Sequence, residues 1–369
     1  MQKNNNRPVL IMAGGTGGHV YPALAVARAL RERNIPVVWL GTRQGLEARV
    51  VPAAGFTVEW LPIAGVRGKN IFRKVCAPFQ LIYAVLCALG IFLRLKPRLA
   101  LGLGGFVAAP GGLAAYVLKV PLAIHEQNAV AGLTNRMLSR VADSVMQAFP
   151  QAFSAVYMPL YTGNPVRRDI AELPHPAVRL QGRTGPLRVL ILGGSQGATF
   201  LNRAMPEAIR SMPPDIRPLL RHQCGRDHVA ATENLYQEAG VEAQVSAFIE
   251  DMAEAYAWAD IAICRAGAMT IAELTAVGLG AILTPFPAAV DDHQAVNASF
   301  MVDNGAALLA SQAQWTPALI GDWLSEMLID RGRTRDMANK ARALAKPDAT
   351  ETVIHECLEL IDSRLMDTL

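Results

Sequence analysis

No two cysteines in this 369-residue chain stand at Cys-x-x-Cys spacing; the five (Cys76, Cys87, Cys224, Cys264, Cys357) are scattered. That gives no indication of a disulfide framework or a zinc site, and it fits a reducing cytoplasm. No Asp-x-Asp pair occurs, and the carboxylates beside His293 (Asp291, Asp292) make an incomplete ligand set, so no metal is expected. Low-complexity tracts and short repeats are also absent. Residues 1–7 are polar and the apolar run after them is only about five residues long, too short for a secretory signal. Aromatic residues make up 6% of the chain. From Trp60 to His125 there is no acidic residue at all, while Arg67, Lys69, Arg73, Lys74, Arg94, Lys96, Arg98 and Lys119 fall inside that stretch.

What is present is a globular composition, 51% apolar and 18% charged, in a chain longer than one core usually organises. Two domains are expected. The net charge of +4 divides into +12 over residues 1–164 and −8 over residues 165–369. A basic first half suits an anionic partner, either an anionic lipid surface or a phosphorylated acceptor. Nucleic acid is disfavoured, because the positive charge sits beside an apolar stretch poor in stacking aromatics. That stretch, Val75 to Leu93, has 19 residues without a charge and basic residues on both flanks. Its length could span a bilayer, but Pro78, Gln80 and Gly90 weaken that reading. Core helix and membrane-facing surface helix both remain open.

Short apolar runs alternate with helical periodicity through both halves, which predicts parallel sheets covered by helices. The first unit is Val9 to Met12, then Gly14, Gly15, Thr16, Gly17 and Gly18, then a helix with Pro22 in its first turn. It has an echo in Val189-Leu-Ile-Leu-Gly-Gly-Ser-Gln-Gly197, and a third glycine-rich stretch runs from Gly102 to Gly112. A strand, a glycine turn and a helix N-terminus make an anion site. The dinucleotide fingerprint fails: its third position is Val20, and Leu40-Gly-Thr-Arg43 offers no acid for a ribose.

Four more groups should emerge at strand ends. His19 follows the first glycine turn, where a helix dipole favours the neutral imidazole and so a proton acceptor. In His125-Glu126-Gln127-Asn128, Glu126 is a second candidate base. Cys264-Arg265-Ala-Gly-Ala268 opens a helix whose amides, with Arg265, could hold a diphosphate, and Glu273 one turn in could accept from ribose hydroxyls. Gln294 in Asp291-Asp-His-Gln could bond sugar hydroxyls.

Together, Ala13-Gly-Gly-Thr-Gly-Gly-His19, Gly104 to Gly112, His125-Glu-Gln-Asn128, Gly163-Asn-Pro-Val-Arg167, Gly193-Gly-Ser-Gln-Gly197, Cys264 to Glu273 and Asp291 to Gln294 resemble the MurG family. These are UDP-N-acetylglucosamine:undecaprenyl-diphospho-N-acetylmuramoyl-pentapeptide N-acetylglucosaminyltransferases of peptidoglycan synthesis. The resemblance implies an α/β GT-B fold of two Rossmann-like domains with parallel sheets facing across a deep cleft. Residues 1–164 would bind the acceptor and the membrane, residues 165–345 would bind UDP-GlcNAc, and a C-terminal helix from about 346 to 369 would pack back on the first domain. It implies inverting transfer of GlcNAc to the muramoyl 4-hydroxyl, with no cofactor. Donor contacts would come from Thr16, Gly17, Gly18, Asn128, Arg167, Ser195, Ile249, Arg265 and Gln294, and from the helix start Ala268, Met269, Thr270, Ile271, Ala272 and Glu273. Ile249 would meet the uracil through its backbone. Gly14, Gly15, Gly104 and Gly105 would cradle the acceptor's diphosphate, with His19 or Glu126 as base. The implied setting is the cytoplasmic face of the bacterial inner membrane, held peripherally through the region 63–98, with other cell-wall synthesis proteins as further partners and roles in cell shape and division. A related UDP-sugar transferase with another lipid acceptor is the alternative reading.

Overall fold

The computed structural model describes residues 7–63, 71–194, 197–287 and 292–366. The chain forms two compact units, Met1–Arg167 with Lys346–Leu369, and Arg168–Ala345.

The first unit begins β1 (Val9–Met12), α1 (Gly17–Glu32), β2 (Val37–Gly41), α2 (Glu47–Ala53), β3 (Thr57–Trp60) and α3 (Ile71–Leu95). It continues β4 (Leu99–Gly102), α4 (Ala108–Val117), β5 (Leu122–Glu126), α5 (Leu133–Leu138), β6 (Ser144–Gln147) and β7 (Leu160–Tyr161). These strands pair in the order β3-β2-β1-β4-β5-β6-β7, and every pairing is parallel. All four residues of β1 and of β4 are buried, as a strand covered on both faces requires.

In the second unit, α6 (Arg168–Ala171) and α7 (Pro176–Arg179) precede β8 (Arg188–Leu192), α8 (Thr199–Arg210), β9 (Leu219–Gln223), α9 (Val229–Glu238), β10 (Gln244–Ser246), α10 (Met252–Trp258) and β11 (Ile261–Cys264). Then come α11 (Ala268–Val277), β12 (Ala281–Leu283), α12 (His293–Val302), β13 (Ala307–Leu309), α13 (Pro317–Ile329) and α14 (Arg331–Ala343). Their strand order is β10-β9-β8-β11-β12-β13, again parallel throughout. The last helix, α15 (Ala349–Met366), belongs to the first unit. Val353, Ile354, Cys357 and Ile361 bury there in one core with β1 and α1.

Strand order reverses between β1 and β4 in the first sheet and between β8 and β11 in the second. Ligands of open α/β sheets bind beyond the C-terminal strand ends at such switch points. The glycine turns at 14–18 and 102–105, the Gly193–Gly194 pair and Arg265 all follow those strand ends.

One expectation needs correction. Gly111 and Gly112 are not loop residues, because α4 starts at Ala108 and runs through them. A Cβ on Gly111 would come 2.3 Å from the Met12 sulfur, and one on Gly112 2.6 Å from Leu138, so these glycines let a helix lie close on its neighbours. The expected cradle of the third stretch thus ends at Val107. The apolar stretch, from Pro78 on, is a helix buried along one face only. Within α3, Ala84, Ala88, Ile91 and Phe92 are buried while Phe79, Ile82, Tyr83 and Leu86 are more than half exposed. Among the described residues, Pro78–Leu95 is the one helical segment long and apolar enough to cross a membrane.

Candidate functional site

In the first unit, two glycine turns are pressed together beyond β1 and β4. Gly105 has φ of 76°, and a Cβ there would fall 2.3 Å from the Gly14 carbonyl oxygen, so only glycine permits this approach. Gly104 makes room for the His19 ring: a Cβ there would stand 2.9 Å from Cε1 and Nδ1. His19 lies half-buried in the first turn of α1, whose N-cap, Thr16, makes no side-chain cap. The first amides of α1 thus retain the partial positive charge of an uncapped terminus.

Beneath this turn lies Glu47, which is 0% exposed. Its Oε2 accepts from Gly15 N at 2.9 Å, and its Oε1 accepts from Thr42 N at 3.0 Å and Thr42 Oγ1 at 2.7 Å. The Gly15 N–H is thus engaged by Glu47 in this structure. Gly17 and Gly18 open α1 beside it.

Glu126, 1% exposed, ends β5. Its two oxygens accept from Asn128 N (3.0 Å), Asn128 Nδ2 (3.2 Å), Gly132 N (3.0 Å) and Asn135 Nδ2 (2.8 Å). A carboxylate with four donors is committed to shaping the loop after β5 and is poorly suited to take a substrate proton. The next residue, Gln127, is buried between two histidines. Its Oε1 is 2.7 Å from His19 Nδ1, and its Nε2 is 3.0 Å from both His125 Nδ1 and His125 O. His125 is fully buried, which pushes its imidazole pKa down to about 4.

In the second unit, Gly193 and Gly197 seat the turn after β8 against backbone. A Cβ on Gly197 would lie 2.2 Å from the Cys224 carbonyl oxygen. Ser195 and Asp291 lie outside the described residues. The helix α11 opens from Gly267, which makes no side-chain cap, so Ala268, Met269 and Thr270 stand at an uncapped N-terminus. One turn in, Glu273 is held by Tyr256, whose hydroxyl donates to Oε2 at 2.8 Å. Arg265 turns one nitrogen inward: Nη1 donates to Thr284 O (3.0 Å), Pro285 O (3.1 Å) and Gln312 Oε1 (3.1 Å). Its guanidinium lies over the Phe200 and Phe286 rings. Asn297, fully buried, donates to Ala266 O and braces the same turn. Ile249 gives its own N–H to Gln223 Oε1 at 3.0 Å. Gln294 Oε1 accepts from Phe286 N at 2.9 Å. Arg167 is half-buried and closes the first unit. Among the described residues no group of three or more His, Cys, Asp and Glu is placed to hold a metal ion.

Two family models match the chain: the glycosyltransferase family 28 N-terminal domain over residues 9–147 and the C-terminal domain over residues 188–353. A protein of Alkalilimnicola ehrlichii is 51% identical over 352 residues, covering 95% of this chain and 98% of its own. One of Marinobacter nauticus is 49% identical over 359 residues, covering 97% and 99%. Both are named UDP-N-acetylglucosamine--N-acetylmuramyl-(pentapeptide) pyrophosphoryl-undecaprenol N-acetylglucosamine transferase. The crystal structure of Acinetobacter baumannii MurG superposes with a TM-score of 0.84 at 42% identity, over 96% of this chain and 99% of that one. The chain belongs to the MurG family of glycosyltransferases. Its fold is the GT-B type, two α/β units each built on a parallel sheet.

Three residues of this MurG-family chain escaped the sequence reading. Glu47 stands at the start of α2 rather than directly after β2, and Gly45 just before it is its one sequence signal. A Cβ on Gly45 would fall 1.9 Å from Glu47 Oε2. Gln127 lay inside a polar quartet whose charged member drew attention. Tyr256, 17 positions from Glu273, carried no sequence signal.

Proposed function

We propose that this chain transfers N-acetylglucosamine from UDP-GlcNAc to a muramoyl-pentapeptide carried on undecaprenyl diphosphate, with His19 as general base. The first unit takes the acceptor and the second unit the donor. One observation carries the assignment of the base. Of the two candidates, only His19 is both reachable and uncommitted to a loop, since Glu126 is buried beneath four donors. The acceptor hydroxyl attacks the anomeric carbon, its proton passes to the imidazole, and the bond to UDP breaks with its electron pair leaving on the diphosphate. One displacement inverts the centre. The growing charge on UDP is met by the uncapped terminus of α11, by the glycine turn after β8 and by Arg167 and Arg265. Glu273 takes the ribose hydroxyls, and the Ile249 carbonyl accepts from the uracil N–H. The amides of Gly17 and Gly18 receive the acceptor's diphosphate.

The acceptor is a membrane lipid, so the first unit must sit on a bilayer. Support comes from the exposed apolar side chains of α3, from Tyr116 and Val117 on α4, and from Leu133 and Met137 on α5, with Lys119, Arg136 and Arg140 exposed beside the latter two helices. Apolar insertion rimmed by cations suits an anionic leaflet. The chain is thereby a peripheral protein of the cytoplasmic membrane face, with the cell-shape and division roles that follow from wall synthesis.

The deciding experiment measures UDP release from UDP-GlcNAc with the muramoyl-lipid acceptor, and separately with diacylglycerol. Turnover with the first alone is expected. Turnover with diacylglycerol alone would favour the alternative acceptor class, and His19→Gln with unchanged kcat would remove the base assignment.

A further inference from the structure

We propose that Gln127 and His125 are positioning residues that lock His19 in the tautomer whose Nε2 can accept a proton. The proposal rests on the reading of His19 as base and supplies what holds that base in order.

The argument starts from two backbone carbonyls, which can only accept. His125 O lies 3.0 Å from one end of the Gln127 amide, so that end must be the NH2 group. The amide oxygen then points at His19 Nδ1 across 2.7 Å. An amide oxygen has no proton, so Nδ1 must carry one. In a neutral imidazole the lone pair is then on Nε2. At the far end, Gly163 O lies 2.9 Å from His125 Nε2, which must therefore be the protonated nitrogen of that ring. His125 Nδ1 is left as an acceptor, and it takes the second amide proton of Gln127 at 3.0 Å. The Thr162 hydroxyl donates to the same Gly163 carbonyl at 2.9 Å and stands 3.0 Å from His125 Nε2 as a second acceptor. Every bond from Gly163 to His19 thus has one permitted direction.

The assembly is also rigid. Gln127 is 0% exposed, and its own carbonyl accepts from Asn164 Nδ2 at 2.9 Å. Burial keeps His125 neutral near pH 7, so its Nδ1 remains available to the amide. The His19 ring lies against Gly104, where an added Cβ would come within 2.9 Å of Cε1 and Nδ1. When His19 Nε2 takes the acceptor's proton, the imidazolium keeps its Nδ1–H bond to the Gln127 oxygen, whose dipole opposes the new charge. The same division of labour, one nitrogen held and the other working, operates wherever a histidine base is oriented by an acceptor.

Long-range 1H–15N spectra of the full-length protein labelled in histidine test this directly. His19 should show the Nδ1–H tautomer, and Gln127→Met should give a mixture of tautomers. Gln127→Met should lower kcat by about 10- to 100-fold, the usual cost of removing an orienting partner, with the KM for UDP-GlcNAc unchanged. Gln127→Glu keeps an accepting oxygen toward His19 but sets a second acceptor against the His125 carbonyl, so it should retain the Nδ1–H tautomer of His19 while losing the bond to His125. An Nε2–H tautomer in the parent protein would overturn the proposal even if Gln127→Met failed to fold. So would full kcat in Gln127→Met alongside a collapsed kcat in His19→Gln, a result that leaves the base assignment standing. Full kcat in His19→Gln would instead remove the base itself.

Discussion

Replacing Glu47 with glutamine tests whether a buried carboxylate, rather than glycine content, sets the shape of the first turn. The substitution keeps the side chain's volume and removes its charge. Glu47 accepts from Gly15 N on one oxygen and from Thr42 N and Oγ1 on the other. In glutamine one of these positions becomes an NH2 group. At Oε2 it faces the Gly15 amide donor to donor, and at Oε1 it faces the Thr42 amide in the same way. One hydrogen bond to a charged group is lost outright, about 1.5–3 kcal/mol, and the others weaken from charge-assisted to neutral. A total near 3 kcal/mol in a unit of ~150–250 residues corresponds to a melting shift of about 6–12 °C for that unit. Calorimetry on the whole chain reads the shift, and hydrogen exchange locates it, since protection of the Gly15 and Thr42 amides should collapse ahead of the β4 amides. Thr42→Val removes only the hydroxyl donor and should cost about 1 kcal/mol, with a coupling between the two changes of about 0.5–3 kcal/mol. A melting point within a degree of the parent, together with unchanged exchange at Gly15, would refute the reasoning.

Other consequences follow from the same geometry. Tyr256→Phe should raise the KM for UDP-GlcNAc by about tenfold, the value of one hydrogen bond to a charged partner, while leaving the acceptor KM alone; equal effects on both would detach Tyr256 and Glu273 from the donor. Stability should fall as pH drops from about 6.5 toward 4. Burial depresses His125 to about 4 and His222 to about 3, whereas the unfolded chain protonates both near 6.5. The unfolded state then binds more protons across that window, so unfolding becomes easier, by as much as ~3 kcal/mol per histidine. Melting curves at pH 7 and pH 4.5 check the sign, and His222→Gln should blunt the difference. Changing Phe79, Ile82 and Leu86 together to serine should weaken binding to anionic vesicles and spare turnover of a soluble acceptor analogue; vesicle binding at the parent level would remove α3 from the membrane contact.

Local patterns carried much of this molecule. β1 and β11 each read as four-residue apolar runs, and both strands are buried along their whole length. The glycine turns stood out because a chain that bends sharply between strand and helix needs residues without a side chain. The fully charge-free stretch after Val75 announced a helix, though not which face it buries. β7 and β13 were invisible, being two and three residues long, with pairing partners that set them and no periodicity of their own. Gly111 and Gly112 read as loop because glycine disfavours helix in isolation; close packing against Met12, Leu40 and Leu138 overrides that propensity.

At the site, sequence alone determined which residue types are present and that they follow strands: His19, the quartet from His125, Arg265, Glu273. It determined the family as well, since the motifs recur in order over the chain. What only the tertiary structure decided is which of those groups are engaged. Glu126 and Glu47 are both acids near a glycine turn, and both turn out to be acceptors for backbone amides that no spacing rule connects to them. Gln127 joins His19 across 108 positions. Hydrogen bonds between residues so far apart depend on strand order, which sets β1, β4 and β5 side by side. A sequence records the donors and acceptors, and the sheet decides which of them meet.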